Sequence, residues 1–309
     1  MRSKAELDAA ISTGRSPVLV VNTRARRGRA LADAAPRLLA DHGFRARRVI
    51  RVDEPARLDA ALAEALAMAP DLLVVGGGDG TVSSAVTHLA HRDVALGVLP
   101  LGTTNNLARS LGVPLGLAAA TAVLTGGKVA DVDLGRAGDR LFANMVSIGV
   151  SVQVAGRVPH GLKRVVGRAA YPLTALRALP RHRPFRARVT AQGAAQEFWT
   201  HQLNIANGGF HAGRPLARDA GIDDRLLVAY RLGAARRAHL VGSMLRHAAT
   251  GPRLRLADDR FLAVGELTVE TDPVLALDVD GEVVDTTPVT IAVVPNALRV
   301  MVPQDFVDT

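Results

Sequence analysis

Short apolar runs alternate with longer segments of helical spacing over the first 130 residues. Residues 17–22, PVLVVN, make a continuous apolar run of strand length, and Ala30 to His42 reads as a helix stopped by Gly43. Arg45 to Val52 looks like a second strand, and Ala56 to Ala69 like a helix rich in alanine and leucine. A third strand, Leu72 to Val75, runs into GGGDGT and then into a helical segment that ends near Ala90. Val94 to Leu99 is a fourth, followed directly by PLGTTNNLARSLG. Strands alternating with helices predict a parallel sheet covered on both faces.

After Lys128 the pattern changes. Leu141 to Ile148, Phe185 to Ala191, Glu197 to Ala206, Leu226 to Arg231, Arg253 to Ala257, Phe261 to Glu270 and Val274 to Val279 are short, often alternating runs bounded mostly by Gly, Pro or Asp. They predict antiparallel β structure, interrupted by helical segments at about 161–179 and 234–249. The expected fold is therefore an α/β, three-layer nucleotide-binding domain over residues 1–133 followed by a β-rich domain over 134–295.

Composition narrows the chemistry. The 309 residues include no cysteine, which excludes disulfides, thiolate metal sites and cysteine nucleophiles. The net charge of +9 favours an anionic partner, although arginine is spread along the whole chain. Aromatics are only 3%, so stacking platforms for single-stranded nucleic acid are scarce and an anionic membrane surface fits better than nucleic acid. The N-terminal stretch has no apolar signal core, and no run approaches the roughly 20 apolar residues of a membrane span. The histidines show no metal-ligand spacing, and neither a GxSxG elbow nor a P-loop signature occurs.

The most informative stretch is GGGDGT. Glycines let backbone approach a ligand, and amides at a helix N-terminus face an anion. Asp79 among them would repel phosphate unless a metal ion lay between. This points to a nucleotide-phosphate site with magnesium. Three turns, after Asn22, after Gly77 and after Pro100, follow apolar strands, and ligands of such sheets bind outside the strands' carboxyl ends.

VLVVNTRARRGRA, GGGDGT, PLGTTNNLARSLG, FANMVSIG, NGGFHAGRPLARDAGIDDRLLV and LDVDGE, in that order, resemble the diacylglycerol kinase catalytic family. The resemblance is to its soluble bacterial branch, which is related to sphingosine and ceramide kinases and more distantly to NAD kinases. It runs from about Val18 to Val294. It implies that Gly77, Gly78, Asp79, Gly80, Thr81, Val82, Ser83 and Ser84 hold ATP, with Thr81 near the phosphates and Asp79 assisting Mg2+ and catalysis. Gly102, Thr103 and Asn106 of the second loop and the Asn22 turn would also contact nucleotide. Glu282 falls on the family's general base for the lipid hydroxyl, and a carboxylate in reach of an alcohol suits that task. A structural magnesium would be held by Asp224 and by the carbonyls of Gly221 and Leu226.

The implied reaction is ATP-dependent phosphorylation of a membrane lipid, diacylglycerol first and ceramide or a sphingoid base next. NAD kinase chemistry and a non-catalytic lipid- or nucleotide-binding relative are the other readings. The resemblance further implies a cytoplasmic protein peripheral to the inner face of the membrane. It allows a homodimer, and has residues 296–309 return to the first domain. Three departures stand out: Asn106 where the family has Asp, Ser83-Ser84 where it has Asn-Glu, and Ser151 at another acidic position. Each removes negative charge.

Overall fold

The computed structural model describes residues 2–25, 27–155, 183–211, 214–215, 221–233 and 260–308. The chain divides into two compact units. The first comprises Met1–Leu134, Ile222–Asp224 and Val294–Thr309; the second comprises Gly135–Gly221 and Arg225–Val293.

The first unit opens with a helix that its hydrophobic pattern does not announce, α1 (Lys4–Gly14). A capping box starts it: the Ser3 hydroxyl accepts the Glu6 N–H at 3.2 Å, and the Glu6 carboxylate accepts the Ser3 N–H at 2.7 Å. Then follow β1 (Val18–Asn22), α2 (Gly28–Ala40), β2 (Arg48–Val52), α3 (Leu58–Ala67), β3 (Leu72–Gly77), α4 (Asp79–Leu89), β4 (Ala95–Pro100), α5 (Asn106–Ser110) and α6 (Leu117–Gly126). The strands pair in the order β2-β1-β3-β4, all parallel. Every residue of β3 and β4 is buried, as expected of a parallel sheet covered on both faces. Among the covering helices, α3 packs with α4 and α2 with α6.

An ion network ties the N-terminus to this sheet. Arg2 reaches Asp71 and Asp93 at 2.7 Å each, and the nearly buried Arg299 also pairs with Asp93. Burial works to raise the Asp93 carboxyl, but hydrogen bonds and charge from Arg2, with Arg299 behind them, outweigh it and hold the group below its usual range. The unfolded chain then binds a proton more readily than the folded one. Asp93 therefore stabilises the fold above the ordinary aspartate pKa of about 3.9, and that contribution fades as pH falls through the lower folded value. Asp93→Asn should flatten the acid limb of the unfolding free energy against pH, measured by urea titration. A limb of unchanged slope would contradict this.

The second unit is antiparallel. In chain order it contains the end of β5 (Lys128–Ala137), β6 (Arg140–Phe142), β7 (Met145–Gly149), α7 (Val150–Ala155), β8 (Phe185–Ala191), β9 (Ala194–Thr200), β10 (Gln202–Asn207), β11 (Phe210–His211), β12 (Arg214–Pro215), β13 (Leu227–Leu232), β14 (Arg260–Val264), β15 (Glu266–Asp272), β16 (Ala276–Val279), β17 (Glu282–Thr286) and the start of β18 (Val289–Val302). One sheet runs β14-β13-β10-β7-β16-β17, and the start of β18 pairs with β15, which continues to β8 and β9. Alternate residues of the two layers, among them Val146, Ile148, Phe185, Val189, Leu203, Ile205, Leu267 and Ile291, meet in one core. The far end of β18 belongs to the first unit, where Val300 lies opposite Leu96 of β4 in parallel.

Three runs that read as single strands are each divided between sheets. Leu141 to Ile148 becomes β6 and β7, Glu197 to Ala206 becomes β9 and β10, which turn over at His201, and Phe261 to Glu270 becomes β14 and β15, which break at Gly265. The expected helical segments at 161–179 and 234–249, and the strand at 253–257, lie outside the described residues. Among the described residues no helix is long and apolar enough to cross a membrane.

Candidate active site

In the first unit three strand ends meet at one level. The pairings Val21↔Gly76 and Gly77↔Pro100 bring the turns after Asn22, Gly77 and Pro100 to the same carboxyl edge. Helix α4 begins there with Gly78 as its N-cap, and no side chain caps it. Its first amides, at Asp79, Gly80 and Thr81, thus lack an intrahelical acceptor and remain suited to an anion. Gly80 is exposed, and a methyl added to it would have no atom within 4 Å.

The second loop is folded hard against the first. A Cβ on Gly102 would lie 2.6 Å from the Gly78 Cα, so residue 102 must lack a side chain for the two backbones to pass, and a Cβ on Gly78 would press on the Gly102 Cα at 3.1 Å. Leu101 N–H donates to Gly77 C=O at 2.8 Å. Asn105 adopts the left-handed conformation, with φ at 50°, and bonds twice to Gly102: its Oδ1 accepts the N–H at 2.9 Å and its Nδ2 donates to the C=O at 3.0 Å.

Asp79 faces this loop. Its Oδ2 accepts the Thr104 hydroxyl and, at 2.9 Å, the Asn105 N–H; its Oδ1 accepts the Asn106 N–H at 2.5 Å. Sequence reasoning missed Thr104 and Asn105 altogether. A signal existed for Asn105, because asparagine is enriched several-fold among residues with positive φ.

The β1 turn is joined to α4 through Asn22, whose Nδ2 donates to Thr81 Oγ1 at 2.9 Å while its Oδ1 accepts the Arg24 N–H at 3.0 Å. Asn22, Gly77, Gly78, Asp79, Gly80, Thr81, Gly102, Thr103 and Asn106 therefore gather at one edge, with Thr103 exposed on the second loop. Val82 departs from the group: its side chain is buried and its N–H bonds to Gly78 C=O. Ser84 donates back to Gly80 C=O at 3.3 Å, one turn into the helix, and Ser83 lies beside it half-buried.

A carboxylate offers about four acceptor positions, and Asp79 has three filled by protein donors, leaving one on Oδ1. That fits a hard cation held chiefly by substrate phosphates and water, with one protein oxygen. Among the described residues no group of three or more His, Asp or Glu is arranged to hold a metal. Of the candidate structural site, Asp224 falls in the first unit and Gly221 and Leu226 in the second.

In the second unit, LDVDGE forms the turn from β16 to β17. Asp280 and Gly281 both have positive φ, 50° and 99°. The Asp280 carboxylate accepts three successive backbone amides, from Ala143 at 2.8 Å, Asn144 at 3.0 Å and Met145 at 2.8 Å, while Asp278 Oδ1 accepts the Gly281 N–H at 2.7 Å. Two aspartates thus fix the backbone on which the exposed Glu282 stands. The anchoring role of Asp280 was also missed, since an Asp before Gly reads as ordinary turn chemistry. Asp280→Ala should lower stability by about 2–4 kcal/mol, because three amides lose their acceptor at once. Urea unfolding checks this, and a loss within error of zero would show that those bonds contribute little.

Ser151 sits in a neutral network. Its hydroxyl accepts Gln202 Nε2 at 2.8 Å, its N–H donates to Gln202 Oε1 at 2.8 Å, and Gln202 Nε2 continues to Asn204 Oδ1 at 2.7 Å. The missing acid is thus replaced by an amide-centred arrangement rather than by an apolar filling.

Paired glycine loops at the strand ends of a parallel sheet, with a β-sandwich carrying DVDGE, define a phosphotransferase of the lipid kinase class. Residues 16–137 match the diacylglycerol kinase catalytic domain, and residues 144–302 match the YegS C-terminal NAD kinase beta sandwich-like domain. This chain belongs to the diacylglycerol kinase catalytic-domain family, among its YegS-like lipid kinases. A Pseudomonas aeruginosa protein described as "probable lipid kinase YegS-like" is 35% identical over 245 residues, covering 78% of this chain and 79% of that one. A Staphylococcus saprophyticus protein described as a diacylglycerol kinase is 28% identical over 243 residues, covering 76% and 78%. A crystal structure of a diacylglycerol kinase from Bacillus anthracis shares the fold, with a TM-score of 0.72 at 22% identity over 95% of this chain and 98% of that one.

Proposed function

We propose that this lipid kinase transfers the γ-phosphoryl group of ATP to the free hydroxyl of diacylglycerol, yielding phosphatidic acid and ADP. The observation that carries the nucleotide half is the uncapped start of α4 beside the Gly78–Gly102 crossing, where backbone amides are open to phosphate oxygens. The name of the Staphylococcus saprophyticus relative supports diacylglycerol as acceptor. Ceramide and sphingoid bases are the second reading, because they present a comparable terminal hydroxyl.

In this reading the amides of Asp79, Gly80 and Thr81 bind the phosphates, Asn22 holds the Thr81 hydroxyl in place, and Thr103 contacts the nucleotide from the second loop. Asp79 would hold Mg2+ bound with the nucleotide, and the ion would supply neutralisation of phosphate charge. Glu282 takes the proton of the acceptor hydroxyl as its oxygen attacks phosphorus. A structural magnesium at Gly221, Asp224 and Leu226 would brace the turn before β13. The protein works at an anionic membrane surface from the cytoplasmic side, as a peripheral protein that can pair as a homodimer.

The test is an acceptor panel. Micellar diacylglycerol, monoacylglycerol, ceramide and sphingosine, with NAD in solution, are each given γ-labelled ATP and magnesium. The reading expects the highest kcat/KM with diacylglycerol. A preference for ceramide or sphingosine would move the assignment to the second reading, and label only in NAD would overturn the lipid acceptor.

A further inference from the structure

The Asp79 carboxylate and the start of the second loop are bound to each other. Three donors converge on two oxygens: the Thr104 hydroxyl and Asn105 N–H on Oδ2, and the Asn106 N–H on Oδ1. A fourth and fifth bond close the loop on itself through Asn105 and Gly102, and Gly102 in turn packs on Gly78, the residue before Asp79. The result is a closed circuit, Gly78–Asp79–Thr104–Asn105–Gly102–Gly78, in which each step is a hydrogen bond, a chain bond or a backbone contact. Asn105 is buried and Thr104 half-buried, so these bonds are partly shielded from competing water.

We propose that Asp79, Thr104 and Asn105 form a latch that sets the two nucleotide loops before ATP arrives, and that Thr104 is a positioning residue for nucleotide binding. This rests on the reading of the two loops as the ATP site. A preset site spares ATP the ordering of the second loop, so the latch acts on affinity. Further, Asp79 keeps only one acceptor position for magnesium, so its main task in this chain is to hold the loop.

Thr104→Val keeps the shape and removes only the hydroxyl donor, whereas Thr104→Ser keeps the donor. Calorimetric titration of the full-length protein with ATP should show the dissociation constant raised about tenfold in the Val variant, the low end of the scale for losing one bond to a charged group, and restored in Ser. KM for ATP should rise in parallel while kcat at saturating ATP stays near wild type. Wild-type affinity in Thr104→Val, or equal losses in Val and Ser, would overturn the proposal, as would a fall in kcat alone.

A second measurement needs no variant and no kinase activity. In the nucleotide-free wild-type protein, the amide protons of Asn105 and Asn106 should exchange slowly with deuterium, as donors held by Asp79. Fast exchange at both would overturn the latch even if ATP binds. Slow exchange in a protein that binds no ATP would leave the latch standing and sink the nucleotide reading instead.

Discussion

Glu282→Gln should lower kcat by about 10²–10⁴-fold, the range that a positioned general base contributes, while KM for ATP stays within twofold or so. The side chain is exposed at the start of β17, and the turn that carries it is fixed by Asp278 and Asp280 rather than by Glu282. Losing its charge therefore removes a proton acceptor and little packing, and the unfolding midpoint should be unchanged. Steady-state kinetics with varied ATP and saturating lipid separate the two parameters. A Gln variant with wild-type kcat would remove Glu282 from the mechanism and leave the fold assignment untouched.

Gly102→Ala should be nearly as damaging, by a different route. The new methyl would stand 2.6 Å from the Gly78 Cα and 2.8 Å from Asn105 Oδ1. Backbone cannot rotate away as a side-chain tip can, so the loops must separate or the strand ends must shift. Strain of that kind costs about 1–3 kcal/mol of stability. The larger effect falls on the nucleotide, since displacing a binding group by about 1 Å can reduce function on the order of 10²-fold. ATP binding measured by calorimetry should weaken to that extent. Gly80→Ala, where open space surrounds the new methyl, serves as the matched control for folding. Equal affinities in wild type and Gly102→Ala would mean that the crossing of the loops does not shape the site.

The first unit was readable because its physics is local. Buried parallel strands make unbroken apolar runs such as Leu72 to Val75, and the glycines after them mark the turns that a ligand reaches. The second unit was readable only as β-rich. A run such as Glu197 to Ala206 has continuous strand character, yet Thr200 and His201 are fully buried where the chain turns from one layer to the other. Nothing in a period-two pattern marks a change of layer. Likewise α1 depends on a capping box and on two buried anchors, Leu7 and Ile11, which are too few to show a helical stripe.

At the site, residues that meet a ligand were easier to read than residues that hold others in place. Asn22, Gly78, Gly80 and Thr81 stand in motifs whose composition states their task. Thr104 donates to a carboxylate 25 residues away and Asp280 accepts backbone amides about 136 residues away, and such pairings appear only once the chain is folded. Asp79 belongs to both classes. Its place in GGGDGT suggests a metal, while its three bonds to the second loop make it a structural member of the site.

The most direct test of the account is label transfer by the wild-type protein from γ-labelled ATP and magnesium into diacylglycerol micelles, with the lipid product separated by chromatography. Label is expected in phosphatidic acid, formed in proportion to enzyme and about 10²–10⁴-fold more slowly when Glu282→Gln replaces it. A folded protein that binds ATP and labels neither diacylglycerol nor any other lipid hydroxyl would contradict it.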